Sequence, residues 1–112
     1  MLAHHHRLKR PQDFENVRRK GRRWRHHLLT LNALPNARSH SRFGFVVSRR
    51  IGKAVKRNRV KRRLRAAVRR WLPRLAGGYD VVIVAHPAAG DATYQELEEA
   101  VGELFRRAHL LE

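Results

Sequence analysis

The chain has 112 residues and no cysteine, so it has no disulfide framework, no thiol nucleophile and no Cys-ligated zinc site. Long apolar runs are also missing, because the longest, Val81 to Ala85, has five residues. We therefore expect no membrane-spanning helix and no signal peptide. An anionic membrane surface is disfavoured as a partner, because the basic stretch at 49–70 has arginine on too many sides of its helix to offer a wide apolar face. Only nine residues are acidic, and none lies between Asn16 and Tyr79. With so few carboxylates to orient a serine or histidine, catalysis by protein side chains is disfavoured.

Positive charge is abundant and unevenly placed. Residues 1–79 contain 24 lysines and arginines against Asp13 and Glu15, whereas residues 80–112 contain two arginines against seven carboxylates. This segregation predicts one surface that faces a polyanion and one end that faces solvent. Nucleic acid is the polyanion that a net charge of +17 favours.

The most basic stretch, Arg49 to Arg70, has twelve lysines and arginines among its 22 residues. Its apolar residues recur at spacings of three to five, which predicts one buried stripe on an α-helix. The members of the stripe are Val55, Val60, Leu64, Ala67, Val68 and Trp71. Cations spaced four apart form a separate row, which consists of Lys53, Arg57, Lys61 and Arg65. Because like charges at this spacing repel, packing of the stripe must hold the helix, and a polyanion must relieve the repulsion.

Several side chains have the chemistry for contact with RNA. Guanidinium and ammonium groups bind phosphates, while Asn58 is suited to reading a base edge, bridging a phosphate or hydrated cation, or simply occupying a crowded helix turn. Phe14 is suited either to stacking on an unpaired base or to the core. Trp24 and Trp71 favour core or rim positions, and His86 favours a hydrogen bond to a loop carbonyl over a catalytic role.

Helix and strand patterns alternate along the chain. We predict a helix from Pro11 to Gly21, strands at 24–27, 28–34 and 42–48, the basic helix, a buried strand from Tyr79 to Ala85 and a helix from Thr93 to Ala108. This order predicts one α+β domain with helices on a small sheet, in which the two strands around the basic helix can lie parallel. Residues 1–10 are predicted to form a loosely ordered basic arm. Within it, His4, His5 and His6 lack the spacing of a structured metal site.

The central segment FGFVVSRRIGKAVKRNRVKRRLR resembles the signature of the bacterial ribonuclease P protein subunit, whose hallmark is an Arg-Asn-Arg motif, here at 57–59. The segments RLKRPQDFENV before it and YDVVIVAHPAAGDATYQELEEAVGELFRRA after it also fit, so the resemblance covers nearly the whole chain. It implies a single RNA-binding domain, residues 1–112, with the order αβββαβα. The implied fold is α+β, a compact two-layer α/β sandwich with a left-handed βαβ crossover, like one domain of a ribosomal protein.

The resemblance also implies a function. In this family a large RNA is the catalyst and the protein is its cofactor, and together they cleave precursor tRNA endonucleolytically to remove its 5′ leader. The implied partners are ribonuclease P RNA and precursor tRNA in the cytoplasm, with no small-molecule substrate. Mg²⁺ would be held mainly by the RNA subunit. No catalytic residue and no certain metal ligand is assigned to the protein.

Matched residue by residue, the resemblance implies an RNA-binding set in and before the basic helix: Arg49, Arg50, Lys53, Arg57, Asn58, Arg59, Lys61, Arg62 and Arg65. It also implies a cleft for the single-stranded leader, lined by Phe14, Arg18, Thr30, Asn32, Val46 and Ser48. Arg18 stands where many relatives have an aromatic residue, and Asn32 where a tyrosine is common. We therefore expect the leader to be bound here more by charge than by stacking, with greater sensitivity to salt.

Two other functions stay open on the sequence. A ribosomal protein or RNA chaperone with the same fold would bind RNA without promoting tRNA processing. A nucleic-acid enzyme acting alone is disfavoured, because the basic half lacks a cluster of acidic residues.

Overall fold

Three α-helices and four β-strands follow one another in the computed structural model, which describes residues 2–112. The elements are α1 (Pro11–Lys20), β1 (Arg22–Arg25), β2 (Leu29–Pro35), β3 (Arg42–Val46), α2 (Ala54–Trp71), β4 (Tyr79–Ala85) and α3 (Tyr94–Arg107). The order αβββαβα is the one predicted. Among residues 2–112, no helix has both the length and the apolar character needed to span a bilayer.

The four strands form one sheet in the order β1-β2-β4-β3. β2 pairs antiparallel with β1 and β4, whereas β3 pairs parallel with β4. The predicted parallel arrangement of the two strands around the basic helix is thus confirmed, with α2 as their connection. β4 lies between β2 and β3, and its β-branched run VVIV packs against helices on both faces of the sheet.

The main core lies between one face of the sheet and helices α2 and α3. α2 contributes the stripe Val60, Leu64, Ala67 and Val68, which is fully buried as predicted, and Trp71 packs partly buried at its edge. Val55 does not belong to the stripe, because it is 80% exposed. Five residues before Val60, it lies roughly 140° around the helix from that residue. Ile51, which precedes the helix, contributes to the core at this end instead.

The opposite face of the sheet is only partly covered, by α1. Val17 of α1 packs with Leu8 and Val82 in a second, smaller core, and Phe14 lies half-buried against the same cluster. A Cβ atom on Gly44 of β3 would lie 2.4 Å from the Phe14 ring. Only a glycine at position 44 therefore lets this ring approach the sheet so closely. Open grooves remain on either side of Phe14.

Residues 2–10 are packed on the domain, which differs from the predicted loose arm. Leu2 and Leu8 are buried, and the N–H of Leu8 donates a hydrogen bond to the carbonyl of Phe43 at 2.8 Å. Arg7 forms a parallel bridge with the same residue. The two leucines anchor a segment whose overall composition is polar, which is why composition alone gives the wrong expectation. Met1, also part of the predicted arm, lies outside the described residues.

A buried carboxylate ties the start of β4 to β3. Asp80 is 7% exposed and accepts hydrogen bonds from Arg42 at 2.9 and 2.7 Å and from the side chain of Asn36 at 2.8 Å. Burial alone would raise the pKa of Asp80, but the hydrogen bonds from Arg42 and Asn36 outweigh it and hold this pKa below its usual value. A carboxyl group whose pKa is lower in the folded chain stabilises the fold in its ionised form.

We predict that Asp80→Asn lowers the free energy of unfolding at pH 7 by about 1–3 kcal/mol, because the charged hydrogen bonds are lost. In the native chain this stabilisation is present above about pH 4, the pKa of an unfolded aspartate, and is lost as the pH falls through the lower pKa of the folded state. Urea titrations at pH 7 and pH 3 measure both effects. Glu99→Gln, a change at an exposed carboxylate, should leave them unchanged. If the Asp80→Asn variant loses as much stability between pH 7 and pH 3 as the native chain does, the assignment of this pH dependence to Asp80 is contradicted.

Candidate nucleic-acid interface

The basic surface begins at the turn before α2. This single 3₁₀ turn, Arg49–Ile51, is capped by Ser48, whose hydroxyl accepts a hydrogen bond from the N–H of Arg50 at 3.3 Å. Gly52 follows with a φ of +142°, a conformation that side chains other than glycine rarely adopt. The chain therefore enters α2 with both arginines of the turn exposed and its isoleucine buried.

The structure places the nine predicted RNA-binding residues on this turn, at Lys53 before α2 and on the first twelve residues of α2, where they surround the buried stripe. Five of them are exposed: Arg49, Arg50, Lys53, Asn58 and Arg62. Four are half-buried: Arg57, Arg59, Lys61 and Arg65. The exposed group can reach a large partner freely, whereas the half-buried group is held in place by neighbouring atoms.

Two of the half-buried arginines have unsatisfied donors. The Nε atoms of Arg57 and Arg59 are shielded from solvent, and neither has a hydrogen-bond partner within residues 2–112. Buried polar atoms are usually hydrogen-bonded, so these two Nε atoms are exceptions within the described residues. Because each of the two side chains is only half-buried, the accessible part of its guanidinium can still form short charge-assisted hydrogen bonds with a phosphate.

Intramolecular carboxylates neutralise very little of α2. The helix contains nine lysines and arginines, yet within residues 2–112 only Lys56 forms a salt bridge, 2.8 Å from the carboxylate of Asp91. The hydrogen bond and charge of Lys56 lower the pKa of that carboxyl group. Arg63 donates to the carbonyl of Ala92 at 2.9 Å. These contacts attach one side of α2 to the loop before α3 and leave the charge of Arg57, Arg59 and their neighbours for a partner.

The carboxylates of α3 are engaged elsewhere. Glu96 completes a capping box with Thr93, and Glu103 lies 3.4 Å from the ring of His26. Burial is the main cause that lowers the pKa of His26, with the charge of His27 second, and Glu103 opposes them. Within residues 2–112, no α3 carboxylate forms a salt bridge with α2.

A second basic surface surrounds Phe14. On one side of its ring, a groove of about 340 Å³ is lined by Arg7, Leu8, Lys9, Phe14, Phe43, Gly44, Phe45, Lys61 and Arg65. On the other side, a groove of about 580 Å³ is lined by Pro11, Phe14, Glu15, Arg18, Arg19 and Arg23. Phe14 is thus neither wholly core nor wholly exposed. It packs against the smaller core and still borders both grooves, so the structure combines the core position and the exposed position that the sequence leaves open. Lys61 and Arg65 link the first groove to α2.

The floor beside Phe14 is formed by the predicted cleft strands. Thr30, Val84 and Val46 face one another across β2, β4 and β3 in register, and all three are half-buried. The hydroxyl of Thr30 lies 2.7 Å from Nε2 of His86. The other ring nitrogen of His86, Nδ1, lies 3.2 Å from the carbonyl of His27, which confirms its predicted structural role.

Two predicted cleft residues have a different role in the structure. Asn32 is 2% exposed, and its side-chain oxygen accepts a hydrogen bond from Nε of Arg23 at 3.0 Å. It therefore fixes an arginine in the groove wall and does not itself face a ligand. Ser48 lies beyond the end of β3, where its hydroxyl caps the following turn. Arg18 is exposed on α1, one turn after Phe14, as its predicted role requires.

Sequence reasoning missed Arg23 and the contribution of residues 7–9. Arg23 pairs with Asn32 across β1 and β2, a contact that only the strand register reveals. Arg7 and Lys9 enter the groove because the preceding segment packs on β3. Within residues 2–112 the structure brings together no group of three or more histidines, aspartates or glutamates that could hold a metal ion.

Comparisons with known proteins agree with this arrangement. The family model Ribonuclease P matches residues 2–109. The ribonuclease P protein component of Roseiflexus castenholzii is 44% identical over 108 residues, which cover 96% of this chain and 88% of that protein. That of Chloroflexus aurantiacus is 47% identical over 107 residues, or 95% of this chain and 79% of that protein.

Solved structures show the same fold. The Thermotoga maritima RNase P protein superposes with a TM-score of 0.83 at 27% identity, covering 90% of this chain and 96% of the other. The Staphylococcus aureus RNase P protein superposes with a TM-score of 0.88 at 24% identity, covering 96% and 98%.

We predict that Arg18→Phe makes binding of a single-stranded RNA oligonucleotide less sensitive to salt. Removing one phosphate contact should reduce the steepness of log K against log[salt] by about 0.7, while the new ring can stack on a base beside Phe14. Fluorescence anisotropy titrations at salt concentrations from about 50 to about 500 mM measure this slope. Arg106→Phe on α3 removes the same charge away from the groove and should leave the slope unchanged. Equal slopes for the native chain and Arg18→Phe would contradict a phosphate contact at residue 18.

Proposed function

This chain belongs to the ribonuclease P protein family, and on that premise we propose that it binds the catalytic RNA of a ribonuclease P and the single-stranded 5′ leader of precursor tRNA. The assembly would remove the leader endonucleolytically and leave the mature 5′ end of the tRNA. Catalysis would be carried by the RNA, and the protein would act as its cofactor in the cytoplasm, where precursor tRNA is found. The observation that carries the proposal is the fixed, unneutralised face of α2 beside the basic groove at Phe14.

The two surfaces suit two kinds of RNA. Arg57 and Arg59, half-buried on a helix held by its buried stripe, offer guanidinium groups of restricted motion to the phosphates of a folded RNA. The groove at Phe14 combines an aromatic edge with cations on both sides, which suits an unpaired strand because any base can stack there. Lys61 and Arg65 belong to both surfaces. A leader in the groove would thus lie directly beside the RNA bound along α2.

The protein's contribution to the reaction would be positioning and charge. Holding the leader next to the catalytic RNA orients the scissile bond, and the cations of α2 offset repulsion between two polyanions. Mg²⁺, which would be held mainly by the RNA, supplies the metal-ion chemistry of phosphodiester hydrolysis. By reducing repulsion at the RNA surface, the arginines of α2 would lower the concentration of Mg²⁺ that the assembly needs. No protein side chain is assigned a chemical step.

Reconstitution tests the proposal directly. We expect the protein to stimulate cleavage of a leader-bearing precursor tRNA at low Mg²⁺ only when a bacterial ribonuclease P RNA is present. RNA binding without stimulation would instead identify an RNA chaperone. Cleavage by the protein alone would identify an independent nuclease.

The same assay resolves the role of α2. We predict that Arg57→Ala and Lys61→Ala each weaken holoenzyme assembly or activity by about 1–3 kcal/mol, the range of a good charged contact. The melting temperature should barely change, because the Arg57 Nε has no partner in the chain to lose. Arg106→Ala, an exposed change of equal charge on α3, serves as the matched control. Normal activity with a large loss of stability would contradict a role in RNA binding.

A further inference from the structure

A cluster of histidines lies outside the surfaces described so far, where the N-terminal segment meets the loop between β2 and β3. The His5 ring lies 5.3 Å from that of His40 in an edge-to-face arrangement, and the His6 ring lies 5.9 Å from it. His6 is anchored, with Nδ1 placed 2.8 Å from the carbonyl of Ser41. Residues more than thirty positions apart in the sequence therefore converge at this place.

The segment that carries these histidines is held rigidly. His4–His6 form one 3₁₀ turn between two buried leucines, Leu2 and Leu8. The Nε of Arg7 donates to the carbonyl of Leu2 at 3.1 Å, and the following N–H donates to Phe43 of β3. The backbone of this turn and the His6 ring are thus fixed, and the His5 side chain starts from a fixed position beside His40.

The histidines line a groove of about 490 Å³ in which positive charge greatly exceeds negative charge. Its walls contain His4, His5, Arg7, Lys9, Arg10, Asp13, Arg38, His40 and Arg42. Asp13 is the one carboxylate among them, and it is already 3.2 Å from Arg10 and 3.7 Å from Arg42. Arg42 is also paired with Asp80. The remaining cations have no carboxylate of their own in this groove.

We propose that this groove is a phosphate-binding site that strengthens as histidines take up protons. A phosphate oxygen accepts hydrogen bonds from imidazolium and guanidinium groups and relieves their mutual repulsion. Arg7 and Lys9 line both this groove and the one beside Phe14. An RNA strand leaving the Phe14 groove would therefore continue past His5 and His40, and this RNA assignment rests on the proposed function, whereas phosphate binding itself does not.

Protonation and phosphate binding are coupled at His40. Desolvation, followed by the charges of His5, His6, Arg38 and Arg42, lowers its pKa. Near neutral pH the free protein therefore holds His40 uncharged, which limits repulsion in the groove. The negative charge of a bound phosphate favours the imidazolium form of His40 and therefore raises its pKa. By linkage, a phosphate whose own charge does not change over this range, such as an RNA phosphodiester, must bind more tightly at lower pH.

Nuclear magnetic resonance titration of the histidine rings tests phosphate binding in the full chain. Inorganic phosphate should raise the titration midpoints of His5 and His40 by about one pH unit each if every proton taken up tightens its binding about tenfold. His27 and His109, exposed residues outside the groove, report general charge screening. Equal movement of all four midpoints, or movement of none, would overturn the proposal.

A second arm separates RNA from free phosphate. The affinity for a single-stranded RNA should rise as the pH is lowered from about 8 to about 6. This rise should be about tenfold larger in the native chain than in the His5→Asn/His40→Asn variant. The His27→Asn/His109→Asn variant removes the same number of histidines and should behave like the native chain. If the midpoints move with phosphate but the RNA affinities of the groove variant match the native ones, the RNA part is overturned and free phosphate is the ligand.

The reconstitution assay distinguishes this inference from the proposed function. If the chain fails to stimulate cleavage while both arms above give the expected results, the groove binds phosphate in a protein of another function. If cleavage is stimulated but both arms fail, the histidine groove has no role and the proposed function stands.

Discussion

Burial of one stripe of α2 against the sheet is the constraint on which the rest of the structure depends. The helix carries nine positive charges and not one negative charge. Each like-charged pair four residues apart costs about 0.2–0.5 kcal/mol, whereas burial of a valine or leucine side chain contributes about 1.5–3 kcal/mol. Val60, Leu64 and Val68 are 1% exposed or less. Packing therefore exceeds repulsion and holds the helix, while the repulsion that remains among its cations favours a polyanionic partner.

The same constraint separates the positively charged surface of the chain from its negatively charged surface. Because the stripe faces the sheet and α3, the cations of α2 occupy the remaining circumference. The carboxylates of α3 remain on its own solvent-facing side, apart from Glu103 at His26 and Glu96 in its cap. Lys56 and Arg63 hold the helix to the loop before α3, where the charge of Arg59 also acts on Asp91, whereas Arg57 forms no salt bridge within residues 2–112. A fixed and uncompensated cationic face is what binding to a folded RNA requires, since donors that are already placed lose little entropy on binding.

The sequence contains much of this architecture but not all of its details. Periodicity alone places Val60, Leu64 and Val68 in the core and predicts β4 as a central strand, because those patterns repeat over several turns or residues. Val55 is hydrophobic like the residues of the stripe, but it lies at a different angle around the helix. A prediction that accepts any spacing of three to five residues therefore includes Val55 wrongly. Asn32 is buried by strand pairing, and only that register places Arg23 in the groove wall. Residues 2–10 appear loose by composition, and it takes the tertiary fold to show two leucines anchoring them.

The absence of cysteine allows one direct measurement of the central claim, that α2 presents its cationic face to the catalytic RNA while α3 faces solvent. A single cysteine introduced by Asn58→Cys or by Glu99→Cys gives a unique attachment point for a short photo-crosslinker at an exposed residue of either helix. In the assembled ribonucleoprotein, we expect crosslinks to the RNA from residue 58 and none from residue 99. Crosslinks from residue 99 alone, or equally from both, would contradict the account.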